Sequence, residues 1–268
     1  MARPQRWEVS SINDGVMEVK LSSWKYFHDY VVQEMLRFSH YIWRGQRDSA
    51  WALESSLYRL MRDKKRANKN SIAKAHLAKF KMAARGRRGA NPDKIVDDNE
   101  WWALGQHQGL ATPLLDWTES PFVALYFAFE KSDAPISKRR SVWSLGNVTT
   151  KNNALKSALA EAQNNKLVGE SYLTLDRFRP TLDENARLVA QAGLFTRGPL
   201  GVTVDDWVKT YYADQNDGAM LLKITIPDDG RHDCLKTLNK MNINHLTLFP
   251  DIYGTTQHCN KAIEINKY

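Results

Sequence analysis

The stretch QHQGLATPLLDWTESPFVALYFAFE, residues 106–130, decides how the rest of the chain is read. Its first half is polar and broken by Pro113. Asp116, Trp117, Thr118, Glu119 and Ser120 then crowd together ahead of Pro121. Proline is tolerated in the first turn of a helix, where its missing N–H has no intrahelical partner. Phe122, Val123, Leu125, Tyr126, Phe127 and Phe129, with the small Ala124 and Ala128, predict a short, deeply buried helix. Thr118 or Ser120 supplies its cap. Helix starts carry partial positive charge and free N–H groups, so an anionic or hydroxyl-rich ligand suits this end. The same residues also fit a well-capped core helix with no other task.

Upstream, MEVKL (17–21) predicts a strand. SWKYFHDYVVQEMLRFSH (23–40) places Trp24, Phe27, Val31, Met35 and Phe38 at helical spacing, with Ser23 as N-cap. YIWRGQ (41–46) then reads as a strand ending in Arg44-Gly45-Gln46. Gly45 permits a tight turn and a close approach to Arg44. Arg62 to Lys94 is the most basic part of the chain, with SIAKAHLAKFKMAARGRR helical in composition and GANPD ending it. Such a run is either a solvated helix face or a phosphate-contacting surface. Phe80 is its one Phe, Tyr or Trp, too few to interleave as base-stacking platforms.

Downstream, DAPISKRR (133–140) reads as a loop and SVWSLGNV (141–148) as a strand. A polar helix follows and gives way to the loop LTLDRFRPTLDE (173–184). In ENARLVAQAGLFT (184–196), Leu188, Ala190, Ala192 and Leu194 alternate with Arg187, Val189, Gln191 and Gly193, which predicts a strand carrying Gln191. AMLLKITIP (219–227) is a strand and DCLKTLNKMN (233–242) a helix. NINHLTLFPD (242–251) leads into a loop at Tyr253-Gly254. This order indicates an α+β fold rather than a regular βαβ array. It carries no repeat and no linker, so residues 1–268 are expected to form a single domain.

The 268-residue chain is 43% hydrophobic and 10% aromatic, enough for a real core. Cys234 and Cys259 do not have metal-ligand spacing, and no metal is expected. No secretion leader is visible at the start, and no apolar run approaches the roughly 20 residues that span a bilayer. A cytoplasmic protein without a membrane partner is expected. The net charge of +8 favours an acidic or polyanionic partner.

Taken together, YIWRGQ, QHQGLATPLLDWTESPFVALYFA, ARLVAQAGLF and NINHLTLFPD resemble the FRG-domain family over about residues 23–254. Trp43 stands where that family's name-giving tripeptide has phenylalanine. The family looks like prophage, mobile-element and defence-associated bacterial proteins. The order of an arginine on an early strand, a hydroxyl at a strand-to-helix junction and a polar residue on a later strand is also similar to ADP-ribosyltransferases. That resemblance implies a split mixed β-sheet with a basic helical insert at about 52–103, and NAD as substrate. It matches Arg44 to the family's arginine and Thr118 or Ser120 to its hydroxyl. Gln191 stands where those enzymes carry a glutamate.

The implied chemistry explains the residue types. Positive charge grows on the ribose of NAD as nicotinamide departs, while a flexible pyrophosphate must be held. A guanidinium grips phosphate with a planar fork. An acid near the sugar stabilises the cation and deprotonates the incoming nucleophile. Gln191 can orient a hydroxyl but cannot act as a base. Asp116 is the nearest carboxylate in sequence, ahead of Glu119, Glu130 and Glu184. The expected NAD contacts are Arg44, Gly45, Gln46, His107, Trp117, Thr118 and Ser120. Arg177, Phe178 and Arg179 occupy the loop that helps select the acceptor in ADP-ribosyltransferases.

The expected activity is that of a toxin or anti-phage effector modifying nucleic acid, RNA before DNA, and held in check by a neutralising partner. Each residue also has a plainer use: Arg44 paired to Asp116, His107 as a structural hydrogen bonder, Asp116 as a cap, Trp117 in the core. A second hypothesis is therefore a non-catalytic nucleic-acid or partner-binding module on a degenerated transferase fold. A metal-dependent nuclease is a third, and the chain shows no carboxylate cluster at suitable spacing for it.

Overall fold

Helix Pro121–Phe129 is anchored at both ends and buried along most of its length. In the computed structural model, residues 5–90, 92–164, 173–181, 186–214 and 218–268 are described. The strands are β1 (Trp7–Val9), β2 (Val16–Leu21), β3 (Ile42–Gln46), β4 (Leu114–Thr118), β5 (Arg139–Leu145), β6 (Asp176–Phe178), β7 (Gly193–Arg197) and β8 (Leu221–Pro227). The helices are α1 (Tyr26–Tyr30), α2 (Ser56–Leu60), α3 (Arg66–Ala83), α4 (Asp98–His107), α5 (Pro121–Phe129), α6 (Thr149–Asn164), α7 (Ala186–Ala190), α8 (Val204–Tyr211), α9 (Arg231–Lys240), α10 (His245–Leu248) and α11 (Ile252–Glu264).

Among the described residues the strands form one eight-stranded sheet in the order β1-β2-β8-β5-β3-β4-β7-β6. The β2–β8 pair is parallel and the others are antiparallel, so the fold is α+β with a mixed sheet. Its two parts meet at one register pair, Trp43↔Thr118, between β3 and β4. Elsewhere β3 is zipped to β5 over its whole length, and β4 to β7. The strands that part at this seam are those that carry Arg44 and Asp116.

Helix α5 covers one face of the sheet. Val123, Ala124, Leu125, Tyr126, Ala128 and Phe129 are buried with Val142, Leu222, Ile224 and Ile226 of β5 and β8, and with Cys234, Leu235 and Leu238 of α9. Each large apolar side chain so buried contributes about 1.5–3 kcal/mol. Ala124 and Ala128 lie one turn apart, on the same side of the helix, against Gly45 of β3. Ser120 caps the start, accepting from the Val123 N–H at 3.3 Å. At the far end, Arg140 donates to the Ala128 carbonyl at 2.7 Å. Arg231 donates to those of Phe129, Glu130 and Lys131 at 2.8–2.9 Å. Two guanidiniums thus satisfy the carbonyls that a helix end leaves open, in the orientation that its dipole favours.

The opposite face buries Trp117, Trp143, Leu145, Leu194 and Leu221 beneath Trp207 and Val208 of α8. A third cluster, with Leu57, Leu77, Trp102, Leu114 and Phe195, seats α2, α3 and α4 against β4 and β7. These three helices occupy the chain between β3 and β4, where the basic insert was expected. No helix among the described residues is long and apolar enough to cross a membrane.

Four expectations need correction. The helix expected from Ser23 begins at Tyr26, and its continuation Val31–Met35 is a π-helical turn. The alternation at 188–194 is not one strand. Residues 186–190 are the helix α7, closed by Ala192 in left-handed conformation (φ 46°), and β7 starts only at Gly193. Gln191 therefore sits in the turn. A five-residue Ala-, Leu- and Val-containing segment satisfies both periods, and the Gln191 N–H to Arg187 carbonyl bond decides for the helix. In the expected loop at 173–184, Asp176–Phe178 pairs with β7 as an edge strand, and residues 182–185 lie outside the described residues. Tyr253 and Gly254 are in α11, not in a loop.

Candidate active site

The seam between β3 and β4 opens into a cleft of about 1010 Å³, lined among others by Arg44, Gln46, Trp51, Asp116, Gln191 and Phe249. Arg44 fills the wedge where the strands part. Its Nη1 donates to the Asp116 carbonyl at 2.7 Å and lies 3.6 Å from Asp116 Oδ2. Its Nε is buried with no hydrogen-bond partner. A buried, unpaired guanidinium N–H is costly unless a ligand completes it. Burial lowers the Arg44 pKa, and Asp116 partly offsets this. The Asp116 side chain is 62% exposed and accepts from Gln106 Nε2 at 2.7 Å, which fixes the carboxylate at the mouth of the wedge.

Further cations line the cleft: Arg47, Arg59, Arg62 and Lys131. Arg62 is held by Glu54, with Nη2–Oε2 at 2.6 Å, and Arg47 by Asp133 at 2.5 Å. Arg59 donates to the Glu54 carbonyl, and Lys131 lies 3.2 Å from Glu130. Glu54 and Asp116 are the lining carboxylates, so cations outnumber acids and the cleft suits an anion.

The residues expected from the sequence divide. Arg44, Asp116, Thr118 and Gln191 line the same cleft, together with Gly45, Gln46 and Trp117. Several of them are committed to structure. A Cβ on Gly45 would overlap the Ala124 carbonyl oxygen, so what approaches closely there is helix α5. Gln46 is buried, donating to the Ala52 carbonyl and accepting from Trp143 Nε1. Trp117 is 3% exposed with Nε1 bonded to Thr196, so its ring is not available for stacking. Thr118 Oγ1 donates to the Gln191 carbonyl at 2.7 Å and accepts from the Ser120 N–H. Gln191 Nε2 donates to the Leu248 carbonyl at 3.0 Å.

Ser120, His107, Arg177, Phe178 and Arg179 are not among the cleft's lining residues. Ser120 caps α5. His107 ends α4, where burial and then Arg187 lower its pKa against the pull of Asp251. Phe178 packs on Phe195 (5.7 Å), while Arg177 and Arg179 pair with Glu119. Of the alternative carboxylates, Glu119 and Glu130 are thus paired to cations, and Glu184 lies outside the described residues. Sequence reasoning missed Arg47, Trp51, Arg59 and Lys131. The one cue was the Trp-Arg-Gly-Gln-Arg run, with Trp51 just beyond it.

The cleft floor rests on a buried pair. His245, 2% exposed, accepts from or donates to the Tyr126 hydroxyl through Nδ1 (2.5 Å), and Phe249 stacks on it at 5.2 Å. Although Glu130 is 3.5 Å away, burial, then Lys261, Lys131 and His258, push its pKa from 6.5 down to about 4. The unfolded chain takes up this proton first, so the stability is whole above about pH 6.5 and is lost as pH falls towards 4. We expect a loss of about 2 kcal/mol between about pH 7 and pH 5 in urea titrations. His245→Gln should flatten that dependence. An equal slope in the variant would assign the effect to other groups.

Residues 39–136 match the family model of the FRG domain. The resemblance carried by YIWRGQ and the 106–130 stretch therefore holds over that span, which runs from the start of β3 past the end of α5 and includes the seam, Arg44 and Asp116. No curated protein and no solved structure matches the chain.

Proposed function

We propose that the chain is an NAD-dependent ADP-ribosyltransferase acting on nucleic acid, as a toxin or anti-phage effector. The observation that carries this reading is the buried, unpartnered Nε of Arg44, set beside Asp116 in a cation-lined cleft at the sheet's seam. Arg44, supported by Lys131, holds the pyrophosphate of NAD by charge-assisted hydrogen bonds. The substrate supplies a ribose C1′ that turns cationic as nicotinamide leaves with the electron pair of the broken bond. Asp116 faces that charge and receives the proton of the acceptor nucleophile as its bond to C1′ forms. Gln191, tied to Leu248, serves as a fixed amide at the floor rather than as a base.

A second reading, a binding module without turnover, draws support from the Thr118 hydroxyl and Gln191 amide, both already engaged within the chain. One experiment separates the two. Purified protein is incubated with adenylate-labelled NAD and, separately, RNA, DNA and cell-extract protein. The transferase reading expects label in a nucleic-acid pool, reduced about 100-fold or more by Asp116→Asn, the scale of losing a group that faces developing charge. NAD binding with no label and no nicotinamide release leaves the binding module.

A further inference from the structure

The far wall of the cleft carries a feature that the NAD reading does not use. Trp51 lines the cleft and is 45% exposed, whereas Trp43, Trp102, Trp117, Trp143 and Trp207 are all buried. Exposing a large aromatic ring in a concave, charged site forgoes burial energy and marks a contact surface. Arg47 lies over the ring, its Cζ 5.0 Å from the centroid, and Asp133 holds that guanidinium in place. The guanidinium thus covers one face of the indole and fixes it, so a stacking partner takes the other face.

Beyond Trp51 and Glu54 the chain carries further cations, interrupted before Asp93 by the single acid Asp63. Arg59 and Arg62 line the same cleft, and exposed Lys64 and Lys65 follow directly in the chain and lead into the basic helix α3. An aromatic platform within a cationic groove is the arrangement that binds single strands: every base has a face to stack, and each phosphate needs a nearby cation. The one Phe, Tyr or Trp of the basic segment 62–94, Phe80, is half-buried against Trp101, and Trp51 stands just ahead of the segment.

We propose that Trp51 is the base-stacking subsite for a single-stranded nucleic acid, whose neighbouring phosphates lie on Arg47, Arg59 and Arg62. The inference deepens the transferase reading by placing the acceptor strand in the same cleft as the donor, but its test does not depend on turnover. A strand is favoured over the adenine of NAD because the cations run on beyond the cleft. A dinucleotide held by Arg44 would leave the exposed Lys64 and Lys65 without a ligand.

Binding of a fluorescent single-stranded RNA 12-mer, without NAD, is measured by anisotropy for the wild type, Trp51→Ala, Trp51→Phe and Arg47→Ala. Trp51→Ala is expected to weaken binding about tenfold, with Trp51→Phe within about threefold of wild type, in line with the cost of losing one base stack. Arg47→Ala should lower the slope of log affinity against log salt by about one. Unchanged melting temperatures establish that the variants are folded, as expected for so exposed a ring. Equal affinity of Trp51→Ala and wild type overturns the proposal. If a separate titration with NAD alone is then weakened by Trp51→Ala, the ring belongs to the donor's adenine. Strand binding that depends on Trp51 without any label transfer upholds this subsite and removes the transferase reading instead.

Discussion

Gly45→Ala is expected to lower the melting temperature by about 10 °C, corresponding to a loss of about 3 kcal/mol or more for a chain of this size. A methyl at this position would overlap the Ala124 carbonyl oxygen and stand 2.5 Å from the Ala128 nitrogen. Both are backbone atoms of α5, so no side-chain rotation relieves the clash. Helix α5 cannot retreat either, because Ser120 fixes its start and Arg140 and Arg231 hold its last carbonyls. The strain must be absorbed by prising α5 off β3, which opens the cluster of Val123, Tyr126, Phe129, Val142 and Ile224. Ser144→Ala on neighbouring β5 is the control, since that buried hydroxyl has no partner to lose. Calorimetry that finds Gly45→Ala as stable as Ser144→Ala would mean that α5 does not lie against β3.

The same helix shows what the sequence could reveal. Pro121, the Ser120 hydroxyl and the run of apolar residues after them are local signals, and each appears in the fold where its spacing puts it. The strands around Trp43, Trp143 and Ile224 were equally plain from their β-branched and aromatic content. The Arg44–Asp116 contact was readable as a plain ion pair. What closes the C-terminal end of α5 was not readable, because Arg231 is 102 residues from Phe129 and no local pattern links them. The error at 188–194 has another origin. Ala192 adopts the left-handed conformation without being glycine or asparagine, so the stop that would have separated α7 from β7 left no trace in the sequence. The cleft's cations were hidden for a third reason. Arg47, Arg59 and Lys131, which were missed, follow β3, lie in α2 and follow α5, and only the packing of α2 and α5 around the seam brings them to Arg44.

Arg44 is where the candidate site and the fold meet, and its replacement is expected to have the largest effect on activity. On the proposed transferase reading, Arg44→Ala should reduce kcat/KM for NAD by about 10²–10³, the scale of removing one preorganised donor. Arg44→Lys is expected to recover little of this. The guanidinium uses Nη1 on the Asp116 carbonyl while Nε is left for a ligand, and one compact ammonium cannot serve both directions. A merely structural arginine would behave differently. With its fork spent on Asp116 alone, either variant would lower the melting temperature and leave the kinetic constants of the surviving folded protein near wild type. The two cases therefore separate on activity normalised to folded protein. A fall in kcat/KM without a matching fall in stability places Arg44 on the substrate. A fall in stability with normal turnover makes the seam an ion-paired joint and moves the search for the site to the Trp51 wall.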